Sequence, residues 1–174
     1  MKTTISKKTI ELYKIRGEHG IYADISIDDS GNNAGRIQIA SDYGSWENYW
    51  GACATSFKQF LIGLDIHYTA GKFGADRWFD LDATIESLKD QIKDYTRDKL
   101  ELRELNSELS SLKNCSCKEE FIAVMQGCES LMDMTNHCPD LCTDISPAFK
   151  SFWLNLWPAF INELKSEALK PANF

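Results

Sequence analysis

Histidine is scarce in this chain. His19, His67 and His137 are the only three, and none stands in a recognisable motif. The side chain most often used for proton transfer near neutral pH is therefore poorly supplied. The glycine-bearing stretch "GNNAG" lacks the G-x-x-x-x-G-K-[ST] spacing that cradles phosphates. No segment approaches the ~18 apolar residues that cross a bilayer. The first residues, "MKTTISKKTIELYK", carry no apolar signal core, which predicts a cytosolic protein. Basic residues are in deficit, 19 against 26 acidic, giving a net charge of −7. Direct binding to nucleic acid, which needs clustered Lys and Arg, is not expected. No membrane partner, cofactor or catalytic role is expected either.

What is present is an ordinary globular composition, 43% apolar and 26% charged, in 174 residues, enough to bury a core. Residues 8–16 read as a strand. "IYADISID" alternates, with Ile21, Ala23, Ile25 and Ile27 on one side and Asp24, Ser26 and Asp28 on the other. "DDSGNNAG" reads as a loop, "RIQIA" as a strand, "SDYGS" as a turn and "WENYW" as a fourth strand. Connections this short predict an antiparallel meander.

The period then changes. Phe57, Phe60, Leu61, Leu64 and Tyr68 are spaced for one helical face, ended by Gly71 and Gly74. Asp82 is a candidate N-cap for a long helix running to about Lys113, roughly 45 Å if unbroken. Its far half would pair with a following helix or with a second chain, making a homodimer. Ser116 and Glu119 have capping-box spacing before the stripe Phe121, Val124, Met125, Cys128, Leu131 and Met132. Ser146 and Pro147 open the last helix, which Pro158 should kink or split. The expected class is α+β: a three- to four-stranded antiparallel meander packed on helices, then a long helix and a C-terminal helical hairpin or bundle. Residues 1–80 would hold the sheet and a short helix, residues 81–174 the helical region, as one unit.

Three groups of residues bear on function. Tyr43, Trp46, Tyr49 and Trp50 crowd around a glycine turn; the tryptophans suit the core and the tyrosines the rim. Cys115, Cys117, Cys138 and Cys142, with His137 in reserve, could supply a zinc site, though C-x-C is not the usual C-x2-C knuckle. Asp76, Asp80 and Asp82 could hold a hydrolytic metal, although capping and surface charge explain them as well. Asp82, Glu86, Asp90, Asp94 and Asp98 recur every fourth residue, about 6 Å apart along a helix axis. Such a row imitates a phosphate backbone; Lys89, Lys93 and Arg97 run beside it, as they would on a solvated face.

Positions 36–81, "RIQIASDYGSWENYWGACATSFKQFLIGLDIHYTAGKFGADRWFDL", resemble small accessory proteins of bacteriophages and prophages. Those also show a strand, an S-D-Y-G turn with aromatics and an F-K-x-F-L helix. The likeness spans about a quarter of the chain and carries no catalytic motif. It implies a protein that binds and disables a host defence or regulatory complex, anti-CRISPR activity being the most concrete form. The mechanism expected is occlusion of a basic nucleic-acid-binding surface, through Asp90, Asp94, Asp98, Glu101, Tyr43 and Tyr49. The alternative is a zinc-stabilised dimeric regulatory module.

Overall fold

Four strands in the order β1-β2-β3-β4 make an antiparallel meander: β1 Glu11–Arg16, β2 Tyr22–Gly31, β3 Ala34–Ser41 and β4 Gly44–Trp50. The computed structural model describes residues 3–169. The chain divides into two units, one made of the residues up to Asp76 together with those from Ile145 on, the other of Arg77–Asp144.

In the first unit the alternation of β2 and β3 buries Ala23, Ile25, Ile27, Ile37 and Ile39 on one face of the sheet. "DDSGNNAG" is not a loop. β2 runs through Gly31, β3 starts at Ala34, and only Asn32 and Asn33 turn the chain, both at positive φ. A two-residue hairpin turn needs that left-handed backbone, which Asn tolerates better than most residues.

Helices α1 (Phe57–Ile62) and α2 (Ile66–Phe73) replace the single helix expected there. Gly63 ends the first, and Asp65 starts the second by accepting the Tyr68 N–H at 2.9 Å. A glycine followed by a capping carboxylate outweighs the continuous apolar spacing. Phe57 lies against β3, with its ring 2.3 Å from where a Cβ on Gly35 would stand. Only glycine allows that approach.

The unit is completed from the far end of the chain by α7 (Pro147–Asn155) and α8 (Trp157–Leu169). Ser146 caps α7 through the Phe149 N–H, Pro147 takes the first turn, and the helices part at Leu156, just before Pro158, as expected. Their aromatics fill the core: Phe149 meets Trp46 edge-on at 5.1 Å, and Trp153 stacks on Trp157 at 4.9 Å.

The second unit is helical: α3 (Leu81–Tyr95), α4 (Lys99–Leu112), α5 (Lys118–Met125) and α6 (Glu129–Met134). A short antiparallel pair, β5 (Trp78–Phe79) and β6 (Thr143–Asp144), brings its two chain ends together. The long helix expected from Asp82 to Lys113 is two helices. Thr96 is extended at φ −141° and ψ 152°, and Asp98 caps α4. The N-cap of α3 is Asp80, not Asp82, and accepts the Ala83 N–H at 2.9 Å. The turn lets Leu105, Leu109 and Leu112 join Ile85, Leu88 and Ile92 in one core. The apolar seam of α4 is thus matched within its own unit. The capping box also fails: Cys117 is the N-cap of α5 without a side-chain bond, while Glu120 accepts the Ser116 N–H and hydroxyl, each at 2.6 Å.

Candidate functional site

The net charge of the protein falls on one unit. Arg77–Asp144 holds fifteen acidic and eight basic residues, a balance of −7. The remainder of the chain holds eleven of each and is neutral. The acid surplus is uneven within the helical unit. From Arg77 to Glu104 eight acids face six bases, whereas from Leu105 to Asp144 seven face two. Between Glu119 and Phe149 there is no Lys or Arg at all.

The expected row on α3 is real but shortened. Asp82, Glu86, Asp90 and Asp94 are exposed on α3; Asp98 lies beyond its end. Lys89 pairs with Glu86 at 2.6 Å and Lys93 with Asp90 at 2.7 Å, so half of the row is locally neutralised. Asp94 is exposed and Glu101 half-buried, and neither carboxylate makes a hydrogen bond or ion pair among the described residues. Asp98 has a structural task, accepting the N–H groups of Leu100 at 2.9 Å and Glu101 at 3.0 Å. Asp98→Ala should lower stability by about 1 kcal/mol, and Asp98→Asn, an equally good cap, by much less. Thermal melts of the two variants check this. The stretch "TRDK" carried this cap signal, which the continuous acid spacing obscured.

Other carboxylates are committed too. Glu108 reaches the start of α6 and accepts the Leu131 N–H at 2.8 Å and the Ser130 N–H at 3.2 Å. The two bonds from Ser116 hold the Glu120 carboxyl below its usual range. Glu119, Glu129, Asp133 and Asp140 remain exposed on α5, α6 and the segment after it. Among the described residues only Asp133 of these has an ion-pair partner, His137 at 3.6 Å. Ile122, on α5 among them, leaves 38% of its surface in solvent. These four carboxylates belong to a stretch of the chain with few basic residues, two Lys against seven acids from Leu105 to Asp144.

The tyrosines lie in the other unit. Tyr43 is half-buried and its hydroxyl accepts the Asn155 amide N–H at 3.0 Å. Tyr49 is 52% exposed on the side of the sheet away from the helices, while Trp50 is buried and Trp46 packs on Phe149 and Phe152.

The metal readings lose their ligands. Among the described residues no three or more His, Cys, Asp or Glu side chains gather as a metal-holding set. Cys115 is buried, Cys117 and Cys138 are exposed, and Cys142 is half-buried. Burial, helped by the Glu120 charge, pushes the Cys115 thiol up, away from the thiolate a metal requires. Asp80 is spent as a cap, and Asp76 Oδ1 is buried without a hydrogen-bond partner.

One polar network is partly sheltered. Lys58 donates to Glu11 at 2.6 Å, Glu167 at 2.8 Å and the Tyr13 hydroxyl at 3.0 Å, tying β1, α1 and α8 together beside a 270 Å³ hollow. Burial first, then the bonds to Glu11 and Glu167, raise the Tyr13 hydroxyl far above the ordinary tyrosine value. Burial would lower Lys58, but Glu11, Glu167 and Tyr13 overcome it and hold the ammonium above the lysine range. Burial likewise works against the Glu11 charge, and Lys58 and Tyr13 still bring its pKa down. These bonds make the network a clamp across three elements. Raised folded-state values mean that the Tyr13 and Lys58 contributions are complete below about pH 10 and are lost progressively as pH rises from there toward the raised values. The lowered Glu11 contributes above about pH 4 and is lost as pH falls further. Melting temperatures taken between about pH 9 and pH 11 should fall more steeply for the wild type than for Tyr13→Phe. That comparison cancels the contribution of the buried thiols, which burial pushes up in both proteins.

Among the described residues no helix is long and apolar enough to cross a membrane. No curated protein and no solved structure matches the chain. The profile of Phage_phiTE_072, described as a phage family, matches residues 3–166. With nearly the whole chain matched, the protein belongs to this phage family.

Proposed function

We propose that the protein acts inside the host cell by adhesion and without catalysis, binding a host defence or regulatory complex and covering a basic, nucleic-acid-binding surface. Anti-CRISPR activity is the specific form of this reading. The observation that supports it most is the confinement of the whole net charge to Arg77–Asp144, beside a neutral second unit. A charge that served only solubility would have no need of one unit. Concentrated on one, it gives a directional field that a groove built for phosphates attracts. Glu119, Glu129, Asp133 and Asp140 are the central contacts, with Asp90, Asp94 and Glu101 flanking them.

The test has two arms. Tagged protein is used to capture partners from a bacterial lysate, and each captured complex is assayed for nucleic-acid binding with and without the chain. In parallel, a targeted phage is plated on a CRISPR-immune host expressing it. Loss of nucleic-acid binding on addition of the wild type, but not of a variant with the four central acids changed to lysine, is the expected outcome. Equal inhibition by that variant would sink the electrostatic mechanism. Failure to restore plating would remove the anti-CRISPR form.

A further inference from the structure

We propose that the open face of the four-stranded sheet is the contact surface of a symmetric homodimer. This is independent of the acidic unit. One face of the sheet is covered by apolar side chains and helices. The other presents the alternate residues of all four strands to solvent.

The charges on that open face fall in columns, one per strand. β1 carries Lys14 and Arg16, β2 Asp24 and Asp28, β3 Arg36, and β4 Glu47. The register sets these columns side by side: Lys14 lies opposite Asp24, Asp28 opposite Arg36, and Gln38 opposite Glu47. Across the sheet the signs therefore run plus, minus, plus, minus.

That order is complementary to its own reverse. A two-fold axis along the strands places β1 of one copy over β4 of the other, and β2 over β3. By the register Asp28 then stands level with Arg36, and Lys14 two residues (about 7 Å) along the strands from the level of Glu47, within reach of the two side chains, twice each by symmetry. Any single-sign partner would face two repelling columns, whereas a second copy faces none.

Part of this charge is left unanswered within the chain. The Lys14 and Arg36 side chains make no hydrogen bond or ion pair among the described residues, and the Glu47 carboxylate accepts only from the Gln38 amide at 3.0 Å. Asp24 and Asp28 are paired, with Arg16 and Lys8.

Shape and apolar content agree with charge. Ser26, Ala40 and Ser45 form the low floor of a 410 Å³ depression between Asp24 and Glu47, room for a facing layer of side chains. Leu12, Tyr22 and Tyr49 stand on the same face, 51%, 37% and 52% exposed. A second copy would cover them.

The test is the assembly state of the purified protein, measured by sedimentation and light scattering from roughly 1 to 200 μM. The wild type should dimerise with concentration, less so as salt rises from about 0.05 to 0.5 M. Lys14→Glu and Glu47→Lys, each alone, should weaken the dimer by at least about tenfold, since each sets like charges together twice. Mixing the two variants should restore association, because both contacts between a Lys14→Glu chain and a Glu47→Lys chain are of opposite sign. Both exchanged side chains, Lys14 and Glu47, are on the surface, so unchanged melting temperatures exclude misfolding as the cause. A wild type that stays monomeric over this range overturns the proposal. So do single variants that dimerise as the wild type does, or a mixture that fails to recover. No partner enters this experiment, so its result is separate from that of the inhibition assays.

Discussion

Phe149→Ala is expected to cost about 3–5 kcal/mol of folding stability. Phe149 is fully buried, and its ring lies within 6.1 Å of four others: Trp46, Phe73, Phe152 and Trp153. These neighbours come from β4, α2 and α7 itself, so the ring fixes the sheet to helices from both ends of the chain. Truncation removes the transfer energy of the ring and leaves a cavity that stiff aromatic neighbours cannot refill. Each edge-on partner adds about 0.5–1.5 kcal/mol beyond burial. Against a typical total of about 5–15 kcal/mol, the variant would be marginal at best. Phe149→Leu keeps much of the volume and should cost less than half as much. Urea midpoints of the two variants decide the matter: an alanine variant that melts with the wild type would mean that the sheet is not held through this ring.

The parts of the fold that were readable in the sequence were those with a strict period or a strong local signal. Ile25, Ile27, Ile37 and Ile39 alternate without exception, and all four strands follow. Ser146 and Pro147 announce a helix start by chemistry alone, and they make one. Two of the departures share one cause: a local breaker followed by a capping residue overrides continuous apolar spacing. Gly63–Asp65 splits α1 from α2, and Thr96–Asp98 splits α3 from α4, although the apolar positions continue through both. A helix signal says which face is apolar; it does not say that the same helix presents it throughout. Phe57 and Gly35 show the converse, since their fit depends on two segments meeting in space. The pairing of Trp78–Phe79 with Thr143–Asp144 was equally invisible, because two-residue strands over sixty residues apart carry no period.

The acidic surface was legible only in part, for a related reason. A regular row on α3 attracts attention, yet Lys89 and Lys93 neutralise it at short range. The irregular run after Glu119 has no period to notice, but it has no lysine or arginine either. Potential depends on uncompensated charge, not on regularity.

The largest functional effect should therefore come from α5, α6 and the segment that follows. Changing Glu119, Glu129, Asp133 and Asp140 to lysine replaces four negative charges by four positive ones, against a starting balance of −7. At about 0.5–1 kcal/mol per reversed rim charge, the loss is roughly 2–4 kcal/mol, or about 30- to 1000-fold in Kd. The association rate should carry much of it, and wild-type affinity should drop steeply with salt while the variant's changes little or rises. Stability should fall by about 1–2 kcal/mol at most: the four carboxylates are exposed, among the described residues only Asp133 has an ion-pair partner, the exposed His137, and Glu119 and Glu129 stand in the first turns of α5 and α6, where a reversed charge costs about 0.3–1 kcal/mol each. The same exchange at Asp90 and Asp94 should weaken binding less, because Lys93 already offsets Asp90. Asp98→Lys would lower binding and melting temperature together, since it also uncaps α4. Measured side by side on a captured partner, the three variants distinguish a field centred on α5 and α6 from one centred on α3. Equal losses from both four-fold and two-fold exchanges would move the contact surface back to the α3 row, and no loss from either would remove the acidic unit from the interface.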